Sequence, residues 1–270
     1  MNFSETVWKS SSLSYDRVRV MGILNITPDS FSDGGMYTGK AAEERIFQMV
    51  DEGADIIDIG GESTRPGFTP VSEEEELERI IPLIKTVSSS ISVPISVDTM
   101  KPSVAKKALD SGASIINDVG GLQNDEMVKV IADNDVAVVA MHIPAEPHVV
   151  HRTKMTGDVI SEIREFLFRT ADNAISKGIK KNSIIIDPGI GFGKTMEQNI
   201  HILRNIKTLC GEYPVLVGAS RKRFLAPMYP SLSKDDASIE AVKVAISNGV
   251  SIVRVHDVSG TVRVIQAANK

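Results

Sequence analysis

The chain has 270 residues, 42% of them hydrophobic and 24% charged, with a formal net charge of -5 and a pI of about 5.6. That is enough apolar material for one large core. The mild acidity gives no overall field attracting nucleic acid, so any anionic ligand must be held locally. The single cysteine, Cys210, excludes an intrachain disulfide and a cysteine-built zinc site and fits a reducing compartment. It falls in a helical-period run with Ile202, Leu203, Ile206 and Leu209 and reads as a core residue.

In chain order, residues 1–16 come first: polar, Ser-rich and without the basic and apolar regions of a secretory signal, they read as a loosely held extension. Residues 17–270 read as one domain. No apolar run reaches the roughly 18 residues of a membrane span, so a soluble cytoplasmic protein is expected. Eight short β-branched runs then alternate with longer stretches of helical period. The strand at 18–24 precedes a helix at 40–52, and 55–59 precedes 72–89. Next come 94–97 with 102–111, 114–116 with 124–134, and 136–141 with 157–177. Strands at 183–186, 214–217 and 251–255 pair with helices at 196–210, 236–248 and 259–268. This alternation specifies parallel βα units.

Local chemistry marks the ends of these elements. Gly53, Gly112, Gly178 and Gly249 stand where helices turn into strands, as residues that accept a left-handed backbone. Ser72 with Glu75 predicts a capping box, and Pro102 a first helical position. The acidic run from Glu73 to Glu76 reads as a solvated first helical turn rather than a metal site.

Every strand ends in a polar side chain: Asn25, Glu62, Asp98, Asn117 with Asp118, His142, Asp187, Ser220 to Lys222, and Arg254 with His256 and Asp257. An open sheet concentrates such groups at one crevice, whereas a closed α/β (β/α)8 TIM barrel carries all eight ends on one face. The barrel is therefore expected. A polar residue after a strand is often only a turn former. That explanation is weak for Asp98, Asn117 and Asp187, which follow runs of buried type and need partners that a flat ligand rich in N–H and carbonyl groups would supply.

Two long segments carry a family resemblance: Gly22-Ile23-Leu24-Asn25-Ile26-Thr27-Pro28-Asp29-Ser30-Phe31-Ser32-Asp33-Gly34-Gly35 and Asp58-Ile59-Gly60-Gly61-Glu62-Ser63-Thr64-Arg65-Pro66-Gly67. With Ser96-Val97-Asp98-Thr99, Ile116-Asn117-Asp118, Asp187 to Thr195, Ser220-Arg221-Lys222 and Arg254-Val255-His256-Asp257, the sequence resembles the dihydropteroate synthases of the pterin-binding TIM-barrel family. The resemblance implies a transferase that condenses 6-hydroxymethyl-7,8-dihydropterin pyrophosphate with p-aminobenzoate in folate biosynthesis, with sulfonamides as competitors. It also implies a homodimer.

On that resemblance, Asp98, Asn117, Asp187, Lys222, Arg254 and Gly218 would form the pterin pocket. Asn25, Arg254 and His256 would hold pyrophosphate, with Mg2+ bound through Asn25. Phe31, Asp33, Thr64, Arg65, Pro66, Phe192 and Ser220 would shape the p-aminobenzoate pocket or its closing loops, Asp33 stabilising developing positive charge. Two other readings share the pterin contacts: a pterin-binding paralogue without synthase activity, and a folate-dependent methyltransferase of the same barrel family. A nucleotide phosphate loop is suggested by Gly189 to Thr195, but Pro188 stands where that motif needs its first glycine. His148 and His151 read as solvated residues.

Overall fold

A computed structural model describes residues 4–26, 39–63, 70–145 and 155–268. After a hairpin of β1 (Glu5–Trp8) and β2 (Ser11–Ser14), the chain builds eight parallel strands. These are β3 (Arg19–Asn25), β4 (Ile56–Gly60), β5 (Ile95–Asp98), β6 (Ile115–Asp118), β7 (Ala137–Met141), β8 (Ile184–Asp187), β9 (Leu216–Val217) and β10 (Ile252–Val255). The helices are α1 (Gly39–Asp51), α2 (Glu73–Val87), α3 (Pro102–Asp110), α4 (Asp125–Asn134), α5 (Val159–Ser176), α6 (Met196–Arg204), α7 (Ile206–Cys210), α8 (Leu225–Met228), α9 (Lys234–Ser247) and α10 (Val258–Ala268). Among the described residues, no helix is long and apolar enough to cross a membrane.

Strands pair in the order β8-β7-β6-β5-β4-β3-β10-β9, and a single bridge between Ile186 and Val215 closes the ring. The register runs Met21 to Ile56, Ile57 to Ile95, Ser96 to Ile115, Ile115 to Ala137, Val138 to Ile184, Ile186 to Val215, Leu216 to Ile252 and Ile252 to Arg19. Followed once round, it returns to β3 eight residues from its start. This stagger is the shear of an eight-stranded TIM barrel.

The period of two along each strand sorts side chains between two environments. Val20, Ile57, Ile59, Val97, Ile116, Val138, Ile186 and Val253 pack outward with helix residues such as Ile46, Ile80, Val104 and Ile163. Met21, Ile56, Ile115, Ala137, Val139, Ile185, Leu216 and Ile252 form a separate cluster inside the barrel. Two residues further along the same inward rows stand Asp58, Asn117, Asp187 and Arg254, so the interior changes from apolar to polar towards the carboxyl ends.

Residues 4–16 are not loosely held. Trp8 and Leu13 are buried in the interior cluster, and the hairpin is bonded to residues preceding β7 and β8, with Lys9 N donating to Asp135 O and Ser183 Oγ to Val7 O. The hairpin therefore closes the amino-terminal end of the barrel, where apolar side chains would otherwise face water. The alternation that shows this is a mere four residues long in each strand.

Three further expectations are refined. The helix expected over 196–210 is two helices broken at Asn205, whose side chain donates to His201 O at 2.8 Å and so competes with the helix backbone. Ser72 caps α2, but Glu75 turns to Arg79, and the reciprocal box forms instead at Thr195 and Gln198 ahead of α6. Glu73 to Glu75 are exposed as expected, whereas Glu76 is fully buried against Lys101. Cys210 is a core residue whose thiol burial pushes up to about 11. The four corner glycines all have positive φ, from +80° to +117°.

Candidate functional site

The polar layer at the barrel mouth is knit across strands. Arg254, from β10, donates through Nε to Asp58 Oδ2 at 2.6 Å and through Nη2 to Asp98 Oδ2 at 2.7 Å. Asn117 Nδ2 donates to the same Asp58 oxygen at 3.2 Å, and Asn117 stands in register beside Asp98. The guanidinium thus lies along the carboxylate edge of the pocket. Burial opposes its charge, but Asp58 and Asp98 outweigh that and hold its pKa above the ordinary arginine value.

Asp58 was not singled out from the sequence, because it sits inside the run Ile56-Ile57-Asp58-Ile59. An aspartate within a strand of isoleucines was itself the signal: it is completely buried, and its Oδ1 has no hydrogen-bond partner. Burial pushes Asp98 up to about 7, Arg254 working against the shift and the Asp58 charge with it. Asp187 is raised to about 6, also chiefly by burial, although its Oδ1 accepts from Gly189 N at 2.7 Å.

Lys222 reaches the pocket from the segment after β9. Burial lowers its pKa to about 8, with the Arg254 charge adding to the fall and Asp187 and Asp98 resisting it. Its Nζ lies 4.3 Å from the centre of the Phe192 ring, a cation–π distance. Gly218 lies beside Arg254, where a β-carbon would stand 3.8 Å away, an ordinary contact that the site would accommodate. Ser220 Oγ and His256 Nδ1 are 2.9 Å apart, joining two of the expected residues on the β9 and β10 side. Asn25 Oδ1 projects over Gly60, 3.3 Å from where a β-carbon would be. Phe31, Asp33, Thr64, Arg65 and Pro66 lie outside the described residues, as do His148 and His151.

Not every polar strand end belongs to this pocket. Asp118 accepts from Gly120 N and Leu122 N, and Asp257 from Gly260 N, so both shape turns. His142 is buried with Phe166 against its ring edge, and Nδ1 meets Lys194 Nζ. Burial, reinforced by the Lys194 charge, depresses its pKa to about 3, so it is a neutral imidazole near pH 7. Lys194 turns inward onto the carbonyls of Gly189 and Phe192, unlike the lysine of a nucleotide phosphate loop, which points at its ligand. Beside the pocket, Lys101 Nζ bridges Glu62 at 2.7 Å and Glu76 at 2.6 Å, tying β4 and α2 to the segment after β5. Glu62 is legible in the sequence as a strand end, but this pairing is not, because all three residues are far apart in the chain.

The site is therefore a buried, mixed-charge layer at the barrel mouth, with carboxylate and amide acceptors beside the cations Arg254 and Lys222. Such an arrangement suits a flat heterocycle offering N–H donors along one edge and an anionic group at the other end.

Comparison with known proteins agrees with this chemistry. Residues 21–256 match the family described as pterin binding enzyme. The dihydropteroate synthase of Bacillus subtilis is 43% identical over 261 residues, covering 94% of this chain and 89% of that protein. The Xanthomonas albilineans dihydropteroate synthase, solved with 4-aminobenzoic acid, superposes with a TM-score of 0.92 at 40% identity, covering 99% of this chain and 97% of that one. The Yersinia pestis enzyme, solved with a sulfonamide drug, gives a TM-score of 0.92 at 35% identity, with 98% of each chain covered. With a family match across nearly the whole barrel and relatives this similar over about nine-tenths of their length, the chain belongs to the pterin-binding enzymes, among the dihydropteroate synthases.

Proposed function

We propose that the chain condenses 6-hydroxymethyl-7,8-dihydropterin pyrophosphate with p-aminobenzoate, giving 7,8-dihydropteroate and pyrophosphate. The observation that carries this reading is the polar layer of Asp58, Asp98, Asn117, Asp187 and Arg254, with Lys222, over an otherwise apolar barrel interior. Asp98, Asn117 and Asp187 pair with the aminopyrimidinone edge of the pterin, whose amino group and ring N–H are donors matched to carboxylate and amide oxygens. Lys222 donates to the opposite ring edge. Arg254, released from part of its carboxylate contact, covers the ring face, to which a planar guanidinium is suited.

Asn25, Arg254 and His256 form the pyrophosphate end. Among the described residues no group of three or more His, Cys, Asp or Glu side chains could hold a metal ion. The donors present fit Mg2+ bound mainly by substrate phosphates, for which the Asn25 amide oxygen would be the protein ligand. Bound there, the ion would neutralise charge on the departing pyrophosphate.

In this scheme the methylene C–O bond breaks first and its electron pair leaves with pyrophosphate. The resulting carbocation is delocalised into the dihydropterin ring, and buried Asp98 and Asp187 oppose its charge. The neutral aniline nitrogen then attacks through its lone pair, and the acidic anilinium that results gives its proton to water, so no strong base is needed. The family resemblance assigns Asp33 to stabilising the cation, and Phe31, Thr64, Arg65 and Pro66, with Phe192 and Ser220, to the p-aminobenzoate pocket. Sulfonamides compete for that same pocket.

The test is an assay containing Mg2+, dihydropterin pyrophosphate and p-aminobenzoate, with pyrophosphate and dihydropteroate both quantified. Equal amounts of the two products are expected. Pyrophosphate without condensation, or pterin binding without reaction, would favour the non-catalytic paralogue; methyl transfer from a methylfolate would favour the methyltransferase.

A further inference from the structure

We propose that Lys194 is a positioning residue for the acceptor site, fixing the loop after β8 so that Phe192 presents its ring beneath Lys222. This inference rests on the reading of Phe192 as part of the p-aminobenzoate pocket.

Lys194 lies on the loop between β8 and α6, and its three ammonium hydrogens meet three acceptors. Nζ is 2.9 Å from Gly189 O, 3.0 Å from Phe192 O and 3.0 Å from His142 Nδ1. One cation therefore gathers two carbonyls of its own loop and ties them to the residue following β7. The backbone is shaped for this contact: Gly189, Gly191 and Gly193 have φ of +66°, +88° and +62°, values that suit glycine. A β-carbon at Gly189 would stand 2.0 Å from His142 O, so the loop lies directly on that backbone. Asp187 Oδ1 and Asn199 Oδ1 take the amides of Gly189 and Gly191 at 2.7 Å each.

Phe192 is thus held through its own carbonyl by Lys194 and through its amide by Gly189 O at 3.1 Å. Its ring in turn lies 4.3 Å from Lys222 Nζ. None of the three acceptors on Lys194 is a carboxylate; burial lowers its pKa to about 7, with the nearby Asp187 charge resisting the fall and the Lys222 charge adding to it. A buried cation held by neutral acceptors is a costly way to pack a loop, which a methionine of similar length would fill without desolvating a charge. What methionine lacks is the ability to hold both carbonyls, and with them the pose of Phe192.

Lys194→Met and Lys194→Gln test this, the glutamine keeping donors for one carbonyl. Amide hydrogen exchange reads the loop with no substrate present. Faster exchange at residues 189–193, confined to that loop, is expected in Lys194→Met, and unchanged exchange in both variants overturns the proposal. In steady-state assays, KM for p-aminobenzoate rises about tenfold, while kcat and KM for dihydropterin pyrophosphate change much less. A loss that falls equally on both substrates overturns the proposal. Phe192→Leu and the double variant complete a cycle: if Lys194 acts through Phe192, the double variant is no worse than Phe192→Leu. Losses that multiply instead place the lysine's effect elsewhere and refute it. Should the parent protein make no dihydropteroate, the functional reading fails, and amide exchange still decides whether Lys194 fixes the loop.

Discussion

Replacing Asp58 by asparagine removes one charge from the polar layer at the barrel mouth while keeping nearly the same shape. Two consequences can be worked from the geometry. Asp58 Oδ2 accepts from Arg254 at 2.6 Å and from Asn117 at 3.2 Å. Turning a charge-assisted bond into a neutral one, with Arg254 still bonded to Asp98, costs about 1–2 kcal/mol of stability. The second consequence is electrostatic. Asp98 is raised to about 7 by burial, and the Asp58 charge adds to that rise while Arg254 opposes it. Without Asp58, Arg254 acts more fully on Asp98, and both changes lower the Asp98 pKa. A carboxylate must be ionised to accept two N–H donors from a pterin, so parent affinity should fall as the solution is acidified through about pH 7. In Asp58→Asn this fall should occur at lower pH. The measurement is a fluorescence titration with 6-hydroxymethylpterin, which lacks titrating phosphates, from about pH 5 to about pH 7.5. A midpoint that stays in place or moves upward refutes the assigned coupling between the two carboxylates.

Three other perturbations probe separate parts of the barrel. Trp8→Ala empties the closed amino-terminal end and should cost about 3–5 kcal/mol in chemical denaturation, with kcat/KM of the folded protein unchanged; a loss below about 1 kcal/mol would mean the hairpin is dispensable. Lys101→Met leaves buried Glu62 and Glu76 without their cation and should cost about 3 kcal/mol, with part of the loss recovered when Glu76→Gln is added; no recovery would place the damage elsewhere. His142 is neutral in the fold because burial lowers its pKa from 6.5 to about 3, so its contribution is complete above about pH 6.5 and is lost as pH falls through about 3. His142→Gln should therefore become less destabilised relative to parent on acidification, by at most about 1.4 kcal/mol per pH unit; a pH-independent difference would show that the ring does not titrate with folding.

The barrel was legible because its signal repeats. Eight apolar runs, each followed by a helical period, place the strands within a residue or two of those observed, and polar residues after them mark the mouth. Asp98, Asn117 and Asp187 stand out because each ends a short run of buried type, broken only by Ser96 ahead of Asp98. Asp58 was hidden by the opposite circumstance, since apolar residues surround it on both sides and only the inward row reveals its company. Glu76 was misjudged because a first-turn acidic residue is normally solvated, and nothing local shows that Lys101 lies across from it. Lys194 was weighed as part of a phosphate loop, whereas its orientation depends on the carbonyls of a turn made by three left-handed glycines. Trp8 and Leu13 escape detection for want of length: two inward residues in β1, Thr6 and Trp8, and one in β2 make no detectable period.

The seam of the barrel links occupancy to integrity. β8 and β9 are joined by one bridge, between Ile186 and Val215, and β9 itself is two residues long. Asp187 ends one side of this seam and Lys222 follows the other. A heterocycle that contacts both acts as a clasp across the weakest join in the ring, so the free energy of binding is also free energy against opening the cylinder there. Ligand and fold then share one cooperative unit, and the seam is where an unliganded barrel would first part.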